Sequence, residues 1–183
     1  MKNMTRRNLI KMAGVPIAAT ALGLKPMDAY SATSSGPGKK LKIMVVGAHP
    51  DDPETGCGRG IALLAAEGHE IVLVYLTRGE AGISGTSYDE AARIRTNEAL
   101  EACKILNARA EFIGQIDGSC EITKERYADM DNFFKKENPD LVFTHWPVDG
   151  HRDHRICSLL VYDAWIQSNK RFDLYYFEVD TGH

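Results

Sequence analysis

The chain has 183 residues, a formal charge of −3 and 44% hydrophobic residues, which suits one α/β-sized core. Its mild acidity offers nothing for a nucleic acid or another polyanion to bind. Beyond residue 32 no run approaches the roughly 18 uninterrupted apolar residues of a membrane span.

Residues 1–32 differ from the rest. "MKNMTRRNLIK" is basic, "MAGVPIAATALGL" is apolar and small, and "DAYSA" offers small residues for cleavage. This is the layout of an export signal. Thr5-Arg6-Arg7-Asn8-Leu9-Ile10-Lys11 matches the twin-arginine type, which places the mature protein in a bacterial periplasm. No cysteine follows the apolar stretch, so no lipid anchor is expected. Residues 33–40 read as a flexible linker, and residues 41–183 as one folded domain.

That domain alternates strand and helix. "LKIMVVGAH" (41–49) is a compact β-rich run. Residues 54–67 read as a helix stopped by Gly68. "EIVLVYLT" (70–77) is a second strand, and "RGEAGISGTSYD" a Gly/Ser-rich loop. Apolar residues recur at helical spacing through 90–107. "AEFIG" is a third strand, residues 122–137 a helix, "PDLVFTH" a fourth strand, 153–168 a helix and "DLYYFEV" a fifth strand. The alternation predicts an α/β protein, a Rossmann-like three-layer α/β/α arrangement with a mostly parallel sheet. Continuous apolar runs suit strands buried on both faces. Ligands of such sheets bind beyond the carboxyl ends of the strands. "AHPDDPE" and "HWPVDGHRDH" both follow strand ends, so they should open on one edge.

Cys57, Cys103, Cys120 and Cys157 match no zinc-ribbon or thioredoxin spacing. They read as free thiols, and Cys57 with Cys157 is the pair to test. Gly56, Gly58 and Gly60 do not have the G-x-G-x-x-G spacing of a dinucleotide site. They are expected to let the first helix approach the sheet. Tyr162, Trp165, Tyr175, Tyr176 and Phe177 read as core, His69 as a solvated helix end, and Arg93 as a solvated side chain.

In "HPDDPE", His49, Asp51, Asp52 and Glu54 occupy six positions. A cation, a helix N-terminus or exposure to water would offset the repulsion of the acids. Acids near a helix start favour its dipole, which suffices for Glu54. Capping needs neither His49 nor the second motif. A catalytic zinc takes three protein ligands and a water. His49 and Asp52 converge on one ion, and "HRDH" offers His151 and His154 for a third ligand. Asp51, between two ligands, is placed to take a proton from a water polarised by the ion. His145 reads as a supporting or core histidine rather than a ligand.

These residues carry a resemblance. "AHPDDPE" with the later "DGHRDH", together with "LTRGEAG", "RIRTNEALEA" and Asp117-Gly118, resembles the PIG-L/LmbE-like de-N-acetylases. The resemblance implies a zinc hydrolase that removes acetyl from N-acetylglucosamine-type sugars or their conjugates. It implies one Zn²⁺ per chain, held by His49, Asp52 and His154, with Asp51 as general base. His151 then stabilises the oxyanion and protonates the departing amine, and Asp153 orients it. Arg78, Glu80, Arg95 and Asp117 fall at substrate-side or supporting positions. The family's further C-terminal strand and helix have no counterpart after "YYFEVDTGH", so a truncated catalytic domain is expected.

Two other readings compete. An exported carbohydrate- or metal-binding protein without turnover has no need of a carboxylate such as Asp51 beside its ligands. A two-metal phosphoesterase wants more carboxylate or His ligands than these motifs provide.

Overall fold

The computed structural model describes residues 39–179. The expected export signal (1–32), most of the expected linker and the terminal His183 lie outside the described residues. No helix among the described residues is long and apolar enough to cross a membrane.

Among the described residues, five strands and four helices alternate. They are β1 (Lys42–Gly47), α1 (Asp52–Ala66), β2 (Glu70–Tyr75), α2 (Tyr88–Ile105) and β3 (Arg109–Phe112). Then come α3 (Lys124–Glu137), β4 (Leu141–His145), α4 (Arg152–Gln167) and β5 (Asp173–Phe177). All four strand pairings are parallel, in the order β3-β2-β1-β4-β5. The order reverses between β1 and β4, which opens a crevice beyond their carboxyl ends.

Parity along each strand sorts the core into two layers. Met44, Val46, Val72, Val74 and Val142 pack with Met130 and Phe134 of α3 and Ile156, Leu160 and Val161 of α4. Ile43, Val45, Ile71, Leu73 and Tyr75 face Ile61 of α1 and Ala99 and Cys103 of α2. This is the expected three-layer arrangement. Side chains that alternate across a strand supply both layers from one continuous apolar run.

The helix starts are encoded locally. Ser87 caps α2 by accepting the Glu90 amide, and Thr123 caps α3 by accepting the Arg126 amide. The Ser87/Glu90 spacing is that of a capping box, and it begins α2 two residues before the expected position 90.

Four sequence expectations are corrected. Cys57 packs in the α1/α2 layer and Cys157 in the α3/α4 layer, so the sheet separates them. All four cysteines, each among the described residues, are free. Tyr162, on α4, and Tyr175, on the edge strand β5, are exposed rather than core. The His69 ring is not merely solvated, because its Nδ1 accepts the Leu41 amide at 3.1 Å. Of the three glycines, only Gly56 meets a close neighbour: an added Cβ would lie 2.4 Å from Phe177, whereas Gly58 and Gly60 face open space.

At the opposite edge from the crevice, Glu137 ends α3 and ties down two strand starts. Its carboxylate accepts from Arg109 at 2.6 Å and Lys42 at 3.1 Å. Burial pushes this carboxyl up, but the two cations outweigh burial and hold it below its ordinary 4.5. A depressed folded pKa contributes stability that is present above the unfolded value and lost as pH falls through the folded one. Glu137→Gln is therefore expected to lower unfolding free energy at pH 7 by about 1–3 kcal/mol. The gap between variant and parent should close below about pH 4.5, as the carboxyl protonates. Urea midpoints at the two pH values read both effects.

Candidate active site

The site lies in the crevice between the ends of β1 and β4. Gly47 ends β1 where the chain turns into α1, and an added Cβ would lie 2.7 Å from Asp52 Cβ and 2.6 Å from Pro53. This close approach seats the first turn of α1 on the strand end. Asp51 is the N-cap at φ 114°, a left-handed conformation, and its side chain makes no cap hydrogen bond. The end of β4, the loop after it and the first turn of α4 bring His145, Asp149, His151, Asp153 and His154 to the same place.

Asp52 is the centre of the cluster and is 3% exposed. One oxygen lies 3.2 Å from His49 Nδ1 and 3.1 Å from His145 Nε2, and accepts the His49 amide at 2.7 Å. The other lies 3.4 Å from His154 Nε2. Burial raises the Asp52 carboxyl, but the His145, His154 and His49 rings around it prevail and hold it well below the usual carboxylate range. Burial lowers His49, yet Asp117 and Asp52 outweigh it and raise the imidazole to about 10. His154 is likewise raised against its burial by Asp52 and Asp149.

The three expected ligands therefore meet through one carboxylate. Among the described residues, three groupings each bring their possible ligand atoms within 4.8 Å of one another: His49, His151 and His154; Asp52, His145 and His154; and His49, Asp117 and Asp153. His49 Nε2 is 3.1 Å from Asp117 and 3.5 Å from Asp153, yet it is buried without an aligned hydrogen bond. His145 Nε2 accepts the Ala48 amide at 3.0 Å while facing an Asp52 oxygen. A lone pair that takes a backbone proton cannot also donate to that oxygen. An orphaned imidazole nitrogen and a surplus of acceptors fit a divalent cation with mixed nitrogen and oxygen ligands.

The remaining residues divide by contact. His151 Nδ1 accepts the Asp153 amide at 3.2 Å, so its neutral ring carries the proton on Nε2. Asp153, expected to orient His151, reaches that ring with its backbone amide and not with its carboxylate. Its buried carboxylate instead accepts the Gly118 amide at 2.8 Å and approaches His49. Glu80 accepts the amides of Arg78 and Asp117, and Asp117 accepts that of Ala81. Both acids thereby brace the loops around the crevice. Arg78 is exposed, with its guanidinium 5.5 Å from the Phe112 ring centre. Arg95 pairs with Asp51 at 2.8 Å. Glu54, read as a helix cap, accepts the Tyr75 hydroxyl at 2.6 Å.

Asp149 was given no role from the sequence. It is 4% exposed. One oxygen accepts the His151 amide at 2.8 Å and lies 2.9 Å from His154 Nδ1. A carboxylate behind a ligand imidazole fixes its tautomer and orientation. The signal was an acid five positions before His154 in "DGHRDH".

Known proteins resemble this chain in sequence and fold. The chain is 31% identical to the uncharacterized deacetylase YaiS of Escherichia coli K12, over 73% of this chain and 71% of YaiS. It is 31% identical to the diacetylchitobiose deacetylase of Thermococcus kodakarensis, over 67% of this chain but only 48% of that enzyme. The crystal structure of GalB, the 4-carboxy-2-hydroxymuconate hydratase of Pseudomonas putida KT2440, superposes with a TM-score of 0.64. It is 27% identical, over 69% of this chain and 56% of GalB. The family profile described as PIG-L, GlcNAc-PI de-N-acetylase, matches residues 44–165, from β1 into α4 and across both motifs. This chain belongs to the PIG-L family.

Proposed function

We propose that the protein hydrolyses the acetamide of an N-acetylglucosamine-type sugar or its conjugate, releasing acetate and a free amine. The observation that carries this reading is the convergence of His49, Asp52 and His154 from two distant segments, with Asp51 left beside them. Relatives named as deacetylases support it. Zn²⁺ held by His49, Asp52 and His154 would supply a Lewis acid that polarises the carbonyl and acidifies water.

The chain's own residues do the rest. Asp51 takes the proton of the attacking water. His151 presents Nε2–H to the developing oxyanion, and the proton that Asp51 took from the water is delivered to the departing nitrogen. Asp149 and the Asp153 amide hold the two rings of α4 in place. The N-terminal Thr5–Lys11 segment and the apolar stretch after it support export, and hence an envelope or extracellular sugar as substrate.

Similar folds host different reactions, so the test must see the bond that breaks. Incubation with N,N′-diacetylchitobiose and with N-acetylglucosamine conjugates is expected to release acetate and free amine in equal amounts. Saturable binding without acetate would return the protein to the class of sugar-binding proteins. Addition of water with the amide intact would place it with the hydratases.

A further inference from the structure

Asp51 stands in a backbone conformation that an L-residue rarely adopts, at φ 114° and ψ −27°. Such a residue persists only where its surroundings over-determine it, at a cost on the order of 1–3 kcal/mol. Its own side chain gives no help, since it makes no cap bond. The restraint comes from α2. Arg95 Nη2 donates to the Pro50 carbonyl and pairs with Asp51 Oδ2, gripping the backbone before the turn and the side chain on it.

The arginine is itself confined. Its side chain is 17% exposed, and its Nε is buried with no partner. An added Cβ on Gly79 would lie 2.8 Å from Arg95 Cδ, and one on Gly82 2.6 Å from Nη1. Two glycines of the loop after β2 thus form a slot that only a residue without a side chain leaves open. Arg93, two positions earlier, has no such role, being exposed and paired with Glu90.

We infer that Arg95, threaded between Gly79 and Gly82, is a positioning residue that clamps the strained Pro50-Asp51 turn and aims the Asp51 carboxylate at the reacting water. The catalytic half of this inference rests on Asp51 being the base, and the structural half does not. Gly82 provides an independent handle, because its backbone tolerates alanine while the new methyl displaces the guanidinium.

The test is hydrogen exchange on a peptide spanning residues 47–56, in parent, Arg95→Gln, Gly82→Ala and the double variant, with Arg93→Gln as control. Both single variants are expected to speed exchange at this turn about tenfold. The double variant should go no further than either single, because both remove one clamp. Arg93→Gln should match the parent. With N,N′-diacetylchitobiose, kcat should fall about 100-fold from a misplaced base, with KM within about threefold. Parental exchange in both single variants, or effects that add in the double, would overturn the clamp. A parent that releases no acetate would defeat the deacetylase reading, while exchange would still decide the clamp.

Discussion

In Asp51→Asn, kcat for acetate release is expected to fall by about 10²–10⁴-fold, the usual worth of a positioned general base, while bound metal stays at the parental level. Three observations make this substitution clean. The Asp51 side chain is 64% exposed, so little packing is lost. It belongs to none of the three ligand groupings, so the metal set is untouched. Asparagine also tolerates a positive φ better than most residues, so the turn survives. Steady-state kinetics beside elemental analysis check both halves. Full activity with metal retained would show that another group takes the proton.

The second large effect concerns the metal. The purified parent is expected to carry about one equivalent of zinc per chain, and the Asp52→Ala/His154→Ala double variant almost none. Acetate release should vanish with it. Asp52 contributes both oxygens to the ring cluster, and His154 belongs to two of the three ligand groupings. Removing both leaves no pair of the expected ligands together. Asp149→Ala should weaken the metal by a smaller factor, about 10–100-fold, because it only orients His154. Binding should also release protons and weaken as pH falls. Without an ion, His49 is held protonated by Asp117 and Asp52, and a ligand imidazole must be neutral. Metal-free but well-folded parent, after zinc is supplied, would sink the hydrolase reading.

Much of the fold was legible because its signals are local. The buried runs "KIMVVG" and "EIVLVY" are too continuous for a surface strand, and each returns as a six-residue strand. Helix ends moved by only a residue or two, as with α2, where Ser87 and Glu90 set a start that apolar spacing alone does not show. Faces were harder. Tyr175 and Phe177 both belong to β5, yet Tyr175 is exposed and Phe177 buried against Gly56. Only the packing of the neighbouring layer decides which of them is covered.

The site divides in the same way. "AHPDDPE" and "DGHRDH" announced metal chemistry by residue type, since histidine and crowded acids at two strand ends have no common structural purpose. By itself the sequence determined the order of elements, the alternation that demands a covered parallel sheet, and the two segments that hold the candidate site. Tertiary structure alone decided that β1 and β4 are neighbours, and so that Asp52 meets His145 and His154. It also decided that Asp149 backs His154, that Asp153 turns toward His49, that Arg95 reaches Asp51, and that Cys57 and Cys157 fall on opposite faces. The physical reason is that strand pairing and side-chain facing are settled by long-range hydrogen bonding and burial, while propensity, capping and residue chemistry act within a few positions along the chain.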